Sequence, residues 1–544
     1  MLSLDRREIF MVYTYALFNG VINLSLPLGV QAIIGFVISA EFSASWGILI
    51  FIVVAGVAAA GVIQILQLSL TELLQKRIFT RAAFEFAYRI PRLKMEHLTG
   101  QYVPEIINRF FDTLTIQKGL SKILVDFSAS TLQILFGLLL LSFYHPFFVF
   151  FGIILIVLLY LIFRYSGPKG LKTSLLESKY KYEVAHWLEE LGRSVGTFKL
   201  AGNSRFPLEK TNKMIGNYLK FRQDHFKVLI FQFSNIVAFK TFITAGLLIL
   251  GSILVINQEI NLGQFVASEI IILLVLSSVE KLILSMETIY DVLTGMEKLG
   301  QVTDLPIESD EGLDVSELDL GDALAIELSD VNYVYPNSTN YVLKDINFKI
   351  NAGEIVCITG PHLSGKSTLA SLLSGLYQQY TGSIQINGAP LRDLSIMSYR
   401  SIVGDNLSIH DLFSGTLAEN ISVGRGISTQ DLLKAVNEVG LGYFLKKSSE
   451  GLSTPIKPEG LGISTSEKIK IILSRIIAQK PKLIVLDQFL DQLDHEDKAL
   501  ILDVLMDKSH GWTLVLVTNN EGVMQRADQV ITLNNGLIEK VQRN

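Results

Sequence analysis

Nine consecutive residues have the types and spacing to hold phosphate: Gly360, Pro361, His362, Leu363, Ser364, Gly365, Lys366, Ser367 and Thr368. They satisfy G-x-x-x-x-G-K-[ST] at every fixed position. The flanks agree, since Ile355–Thr359 is a short β-branched run and a helical pattern starts at Leu369. Glycine lets the backbone wrap phosphate oxygens, amide N–H groups and the helix N-terminus supply positive potential, and Lys366 has the reach for the β- and γ-phosphates. The Ser367 hydroxyl is an oxygen ligand of the kind Mg²⁺ takes. A second Mg²⁺ ligand should end a later hydrophobic strand, and Leu483–Asp487 ends in Asp487. The pair of motifs predicts binding of a nucleotide with Mg²⁺. His362, inside the loop, reads as a surface residue rather than a catalytic one.

The rest of the chain must position this site, and composition divides it unevenly. The 544 residues are 49% hydrophobic and 18% charged, with a mean hydropathy of +0.40. That is too apolar for an ordinary soluble protein. Disorder, collagen-like repeats and acidic tails are excluded by the same figures. One cysteine, Cys357, excludes a disulfide framework or a multi-cysteine metal site in this chain. A net charge of −5 offers no global basic field for nucleic acid, and no nucleic-acid motif is present.

Six apolar runs are long enough to cross a lipid bilayer, at roughly 9–38, 45–70, 127–144, 146–163, 228–256 and 262–286. The first is too long for a signal peptide and lacks a cleavage site. Short links without Lys or Arg alternate with long ones, 71–126 and 164–227, that hold nine and thirteen Lys/Arg. The positive-inside rule puts the long links, and Arg6 and Arg7, in the cytoplasm. Both links have apolar residues at helical spacing, with breaks at Thr99-Gly100 and Ala201-Gly202-Asn203. Each therefore reads as a helix out, a turn, and a helix back.

Lys240, Glu269, Glu280 and Lys281 fall inside or beside spans. Two readings stand: a polar substrate path, or snorkelling and pairing within the bundle, as for Glu280 and Lys281 at the exit. Asn19, Asn23 and Pro27 suit a kink and interhelical hydrogen bonds. From Asp304 to Asp322 there are eight carboxylates and no Lys or Arg, which reads as a solvated linker. The expected division is a membrane domain over 1–303, an acidic linker over 304–324 and a nucleotide-binding domain over 325–544.

Six spans with long cytoplasmic excursions followed by a phosphate-loop module resemble one half of an ABC exporter, close to the half-transporters of type I secretion and of peptide or lipid export. The resemblance implies an all-α six-helix transmembrane domain of exporter type 1, followed by an α/β P-loop NTPase domain. It places the protein in the cell inner (plasma) membrane, multi-pass, with the nucleotide-binding domain in the cytoplasm. In this family halves dimerise, and each nucleotide is clamped between the phosphate loop of one half and the signature segment of the other. Tyr335 stands where the family stacks an aromatic on adenine. Leu412–Thr416, Glu419-Asn420-Ile421 and Gly536–Glu539 also match family segments.

The departures bear on catalysis. The family's Q-loop glutamine position is Ser408, and the signature L-S-G-G-Q aligns with Ile463-Ser464-Thr465-Ser466-Glu467. Gln488 stands for the glutamate that polarises the attacking water, and Asn519 for the switch histidine. A carboxamide orients water but does not accept its proton at neutral pH, a loss of about 10²–10⁴-fold. Thr465 and Ser466 add Cβ atoms, and Glu467 a negative charge, where helix amides approach the partner's phosphate; Ser464 keeps a hydroxyl able to donate. The expectation is a half-subunit that binds ATP-Mg and couples dimer closure to translocation, with poor or no hydrolysis. Its partner is a second half, a heterodimer in preference to a homodimer, and its exported substrate is unidentified. The alternative is a non-transporting membrane regulator or assembly factor that senses ATP.

Overall fold

The computed structural model describes residues 5–39, 44–100, 102–336, 338–407 and 412–544. Two compact units are present: Met1–Pro91 with Tyr102–Leu305, and Arg92–Gln101 with Pro306–Asn544.

The first unit is helical. Six helices are long and apolar enough to cross a membrane: Arg6–Ile38, Ala44–Arg92, Val103–Ser142, Phe147–Arg193, Phe206–Ile256 and Leu262–Thr303. The fourth and fifth have 47 and 51 residues, about 70 and 76 Å at the usual rise, so each outruns a bilayer by more than half its length. Between them lie the short helix Val195–Leu200 and a turn at Ala201, where the reading of the sequence puts a break. The first helix is interrupted at Leu24. Pro27 lacks the N–H that would bond the Asn23 carbonyl, so the helical ladder breaks there.

The sixth helix is the most enclosed, with Ile271, Ile272, Val275, Leu276 and Val279 each at most 2% exposed. Gly137 on the third helix permits this packing, because a Cβ there would lie 2.6 Å from Val275 Cγ2. Lys240 Nζ lies 3.2 Å from Glu280 Oε2, tying the fifth helix to the sixth. Of the two readings of Glu280, pairing within the bundle is the one observed, with Lys240 rather than the adjacent Lys281 as its partner. Adjacent residues point about 100° apart around a helix, so both cannot face the same neighbour.

The second unit holds two main sheets. One is antiparallel, with Tyr341–Ile350, Ile326–Val334, Tyr380–Ile386 and Ala389–Pro390 in that order. The other runs Leu537–Arg543, Gln529–Asn534, Ile355–Thr359, Thr513–Val517, Leu483–Asp487, Val403–Asp405 and is parallel except for its first pair. Its central strands read as near-continuous Val, Ile and Leu because helices or the second sheet cover both faces. Cys357, on the strand entering the phosphate loop, is fully buried, and burial pushes its thiol up to about 12.

The acidic segment expected to be a solvated linker is partly folded into this unit. Val315, Leu320 and Leu324 belong to its hydrophobic core, and Asp310 Oδ1 accepts from Ser395 Oγ at 2.7 Å. Glu308 is 6% exposed and takes a two-pronged contact from Arg400, Nη1 to Oε2 at 2.6 Å and Nη2 to Oε1 at 2.7 Å. A charge pattern shows how many carboxylates a segment has, not which one is buried against a guanidinium. Arg400→Leu, which strands the buried Glu308 carboxylate, should destabilise this unit by about 3–5 kcal/mol. Hydrogen exchange of the strand Ile355–Thr359 would register it, and adding Glu308→Leu should recover most of the loss.

Candidate nucleotide site

Three adjacent parallel strands bring the sequence-predicted residues to one edge. Val517 pairs with both Ile358 and Asp487, so Gly360, Asp487 and Asn519 leave the sheet at its carboxyl end within two positions of one another in register. In an open α/β sheet, ligands bind at that end.

The loop shape depends on its two fixed glycines. Gly360 has φ +144°, and a Cβ there would lie 2.0 Å from the Leu533 carbonyl oxygen. Gly365 has φ +98°, and its Cβ would meet the Val342 oxygen at 2.9 Å. No L side chain fits either position. The loop opens the helix Lys366–Leu373, whose N-terminal amides face the same space. Lys366 folds back along the loop and its Nζ donates to Gly360 O at 2.9 Å, Pro361 O at 2.6 Å and Ser364 Oγ at 3.3 Å. Burial lowers the Lys366 pKa, and the charge of Asp487 opposes that shift. Pro361, His362 and Leu363 are exposed, as expected for His362.

Asp487 and Ser367 lie side by side across this loop. Burial raises the Asp487 pKa, against a hydrogen bond from Ser367 and the positive charge of Lys366. Its Oδ1 is buried without a hydrogen-bond partner among the described residues. A desolvated carboxylate oxygen with free lone pairs beside a hydroxyl is a hard-oxygen donor set that fits Mg²⁺. When bound there, such an ion neutralises phosphate charge.

The backbone around Asp487 is held by a residue the sequence reading missed. Asn406 accepts from Asp487 N at 2.6 Å through Oδ1 and donates through Nδ2 to Asp487 O at 3.0 Å. It is 4% exposed. No local pattern marks Asn406, because its partner lies 81 residues away. Ser408, proposed for the Q-loop position, lies outside the described residues.

Tyr335 is half-buried, its hydroxyl 2.9 Å from Thr368 Oγ1. It stands edge-on to Tyr333 and Tyr377, with ring centroids 5.1 and 5.7 Å away. Gln488 is exposed and has φ +46°, its backbone N–H donating to Val517 O at 3.1 Å. Asn519 Oδ1 accepts from Thr359 Oγ1 at 2.8 Å and from Gly360 N at 3.3 Å. Its carboxamide oxygen thus props the start of the phosphate loop.

Ser464 is not brought to this edge by its own fold; it caps the helix Thr465–Ala478. Glu467 N donates to Ser464 Oγ at 3.3 Å, while Glu467 Oε2 accepts from Ser464 N at 3.0 Å and from Ser464 Oγ at 2.7 Å. The hydroxyl read as available to a phosphate therefore donates within its own turn. Glu467 belongs to a capping box.

Two alterations probe these contacts. Asn406→Ala leaves the buried backbone of Asp487 unpaired, so nucleotide affinity in Mg²⁺ should fall several-fold more than affinity measured in EDTA. Glu467→Ala removes half of the capping box and should cost about 0.5–2 kcal/mol of stability, measured as a lower unfolding midpoint.

Comparison with known proteins gives this geometry a family. Residues 343–490 match the family described as ABC transporter, and residues 9–279 match the ABC transporter transmembrane region. An uncharacterised ABC transporter ATP-binding protein of Bacillus subtilis, YwjA, is 28% identical over 370 residues, covering 66% of this chain and 63% of that protein. An ATP-dependent lipid A-core flippase of Legionella pneumophila is 29% identical over 385 residues, 70% of this chain and 64% of the flippase. The matched regions thus span less than two thirds of those relatives' length. The structure of a bacterial Atm1-family ABC exporter with ATP bound superposes with a TM-score of 0.87 at 17% identity, covering 100% of this chain and 96% of that one. With a matching transmembrane region followed by a matching ATPase module, in the fold of an exporter, the chain belongs to the ABC transporter family as a half-transporter.

Proposed function

We propose that this chain is one half of an ATP-dependent exporter in the plasma membrane, binding ATP with Mg²⁺ in the cytoplasm and contributing little hydrolysis of its own. The observation that carries the reading is the contrast along one sheet edge. On one side stand the groups suited to holding nucleotide, Lys366, Ser367 and a buried Asp487 oxygen without a partner among the described residues. The neighbouring positions carry carboxamides, Gln488 and Asn519, which neither accept a proton at neutral pH nor carry charge.

Binding without turnover still does mechanical work in such a dimer. Nucleotide that binds only the closed arrangement stabilises it by mass action. The capped helix start at Ser464 offers the partner's nucleotide less than the family signature does, because Glu467 already occupies it. A competent partner half is therefore favoured over a second copy, and it must tolerate this end of the clamp. In this reading Tyr335 is the residue that stacks on the adenine ring.

The test is a paired measurement on the full chain in lipid nanodiscs. Titration with MgATP should show saturable binding that Lys366→Ala weakens at least tenfold, while turnover stays near background. Combining Gln488→Glu, Asn519→His, Thr465→Gly, Ser466→Gly and Glu467→Gln should raise turnover by about 100-fold or more. Vigorous hydrolysis by the unaltered chain alone would overturn the reading.

A further inference from the structure

Inside the membrane domain is a polar cavity of about 240 Å³ at the meeting of four spans, the first, second, third and sixth. Its walls include the carboxamides Asn23, Gln64, Gln67 and Gln133 and two opposite charges, Asp126 and Lys281. Gln67 donates to Val12 O at 3.3 Å and Asn23 to Asn19 Oδ1 at 3.4 Å. Gln64, Gln133, Asp126 and Lys281 have no such side-chain partner among the described residues, and polar groups on membrane helices face a partner, water or a ligand.

Another ionisable pair of this unit shows what self-satisfaction looks like: Lys240 and Glu280 lie 3.2 Å apart. Asp126 and Lys281, by contrast, line one cavity yet have no ion-pair partner within 4.0 Å among the described residues. Asp126 also sits in a π-helical turn, Ile123–Phe127, that interrupts the third span. Such turns cost helix regularity and recur at functional sites because they re-aim a side chain.

We propose that this cavity is a binding site for a small zwitterion of peptide character, its ammonium toward Asp126, its carboxylate toward Lys281 and its amides on the carboxamides between. The two carboxamides without a partner, Gln64 and Gln133, decide the class. Each presents both a donor and an acceptor, as a peptide unit does. The volume lies below the range of drug-sized sites, so the occupant is a short peptide or the end of a longer one. This assignment rests on the half-transporter reading and names a substrate class for it.

The full chain in phosphatidylglycerol nanodiscs would be tested by equilibrium dialysis with trialanine, N-acetyl-trialanine and trialanine amide. Trialanine should bind saturably, and each capped form at least tenfold more weakly. Asp126→Asn should weaken trialanine tenfold or more while leaving N-acetyl-trialanine unchanged, since that ligand has no ammonium to lose. Lys281→Met should do the same for trialanine amide. Equal binding of all three ligands, or unaltered binding by both variants, would overturn the assignment. Displacement of trialanine by phosphatidylethanolamine in the nanodisc would also overturn it, in favour of a lipid headgroup. ATP titration of the same preparation separates the two levels. ATP binding without trialanine binding defeats the cavity assignment alone, and failure of ATP to bind defeats the transporter reading with it.

Discussion

A carboxylate buried at the end of a strand is costly unless something positive or something that donates stands beside it, and Asp487 organises the nucleotide site around that need. One of its oxygens takes a hydrogen bond from Ser367, Lys366 contributes charge, and the remaining oxygen has no partner among the described residues. Everything nearby serves to keep this arrangement in place. Asn406 fixes the two peptide units that flank the Asp487 Cα, through its N–H and its carbonyl. Gly360 lets the loop pass against the Leu533 carbonyl, bringing Lys366 round to the same side. A desolvated oxygen left short of a partner is costly, and a cation is the kind of group that would complete it.

Much of this was legible in the residues, because it is local. The phosphate loop, its strand and its helix lie within some twenty consecutive positions, and glycine, lysine and serine have few other reasons to occur at that spacing. The six spans were legible because a bilayer demands length and hydrophobicity from each helix alone. What escaped is pairwise and distant. Asn406 is linked to Asp487 across 81 positions, and Glu308 to Arg400 across 92. The segment Arg92–Gln101 lies between two membrane helices in sequence yet groups with the nucleotide unit. There the buried Glu96 accepts from the backbone N–H groups of Gln378 and Gln379. No periodicity in 92–101 announces those partners.

The membrane domain shows the same limit from the other side. Sequence reveals that Lys240, Glu280 and Lys281 are inside or beside spans, but a charge in a membrane has two opposite meanings depending on its neighbour. Lys240 and Glu280 neutralise each other and add cohesion between two helices. Lys281, one residue further on, turns to another face and a polar cavity. Only the rotation of the sixth helix separates the structural charge from the one that is left to meet something else.

The helix beginning at Thr465 makes the sharpest physical argument about catalysis. Its first N–H groups and its partial positive charge can serve one anion well. In the family pattern two glycines and a glutamine leave that end open. Here the Glu467 carboxylate closes on Ser464 and satisfies both its hydroxyl and its backbone N–H. A capped helix start and an anion-receiving helix start are competing uses of the same groups. The substitution that steadies this helix therefore also weakens its pull on a phosphate brought from outside. A weaker anion-receiving end and a gain of local order are then one change rather than two.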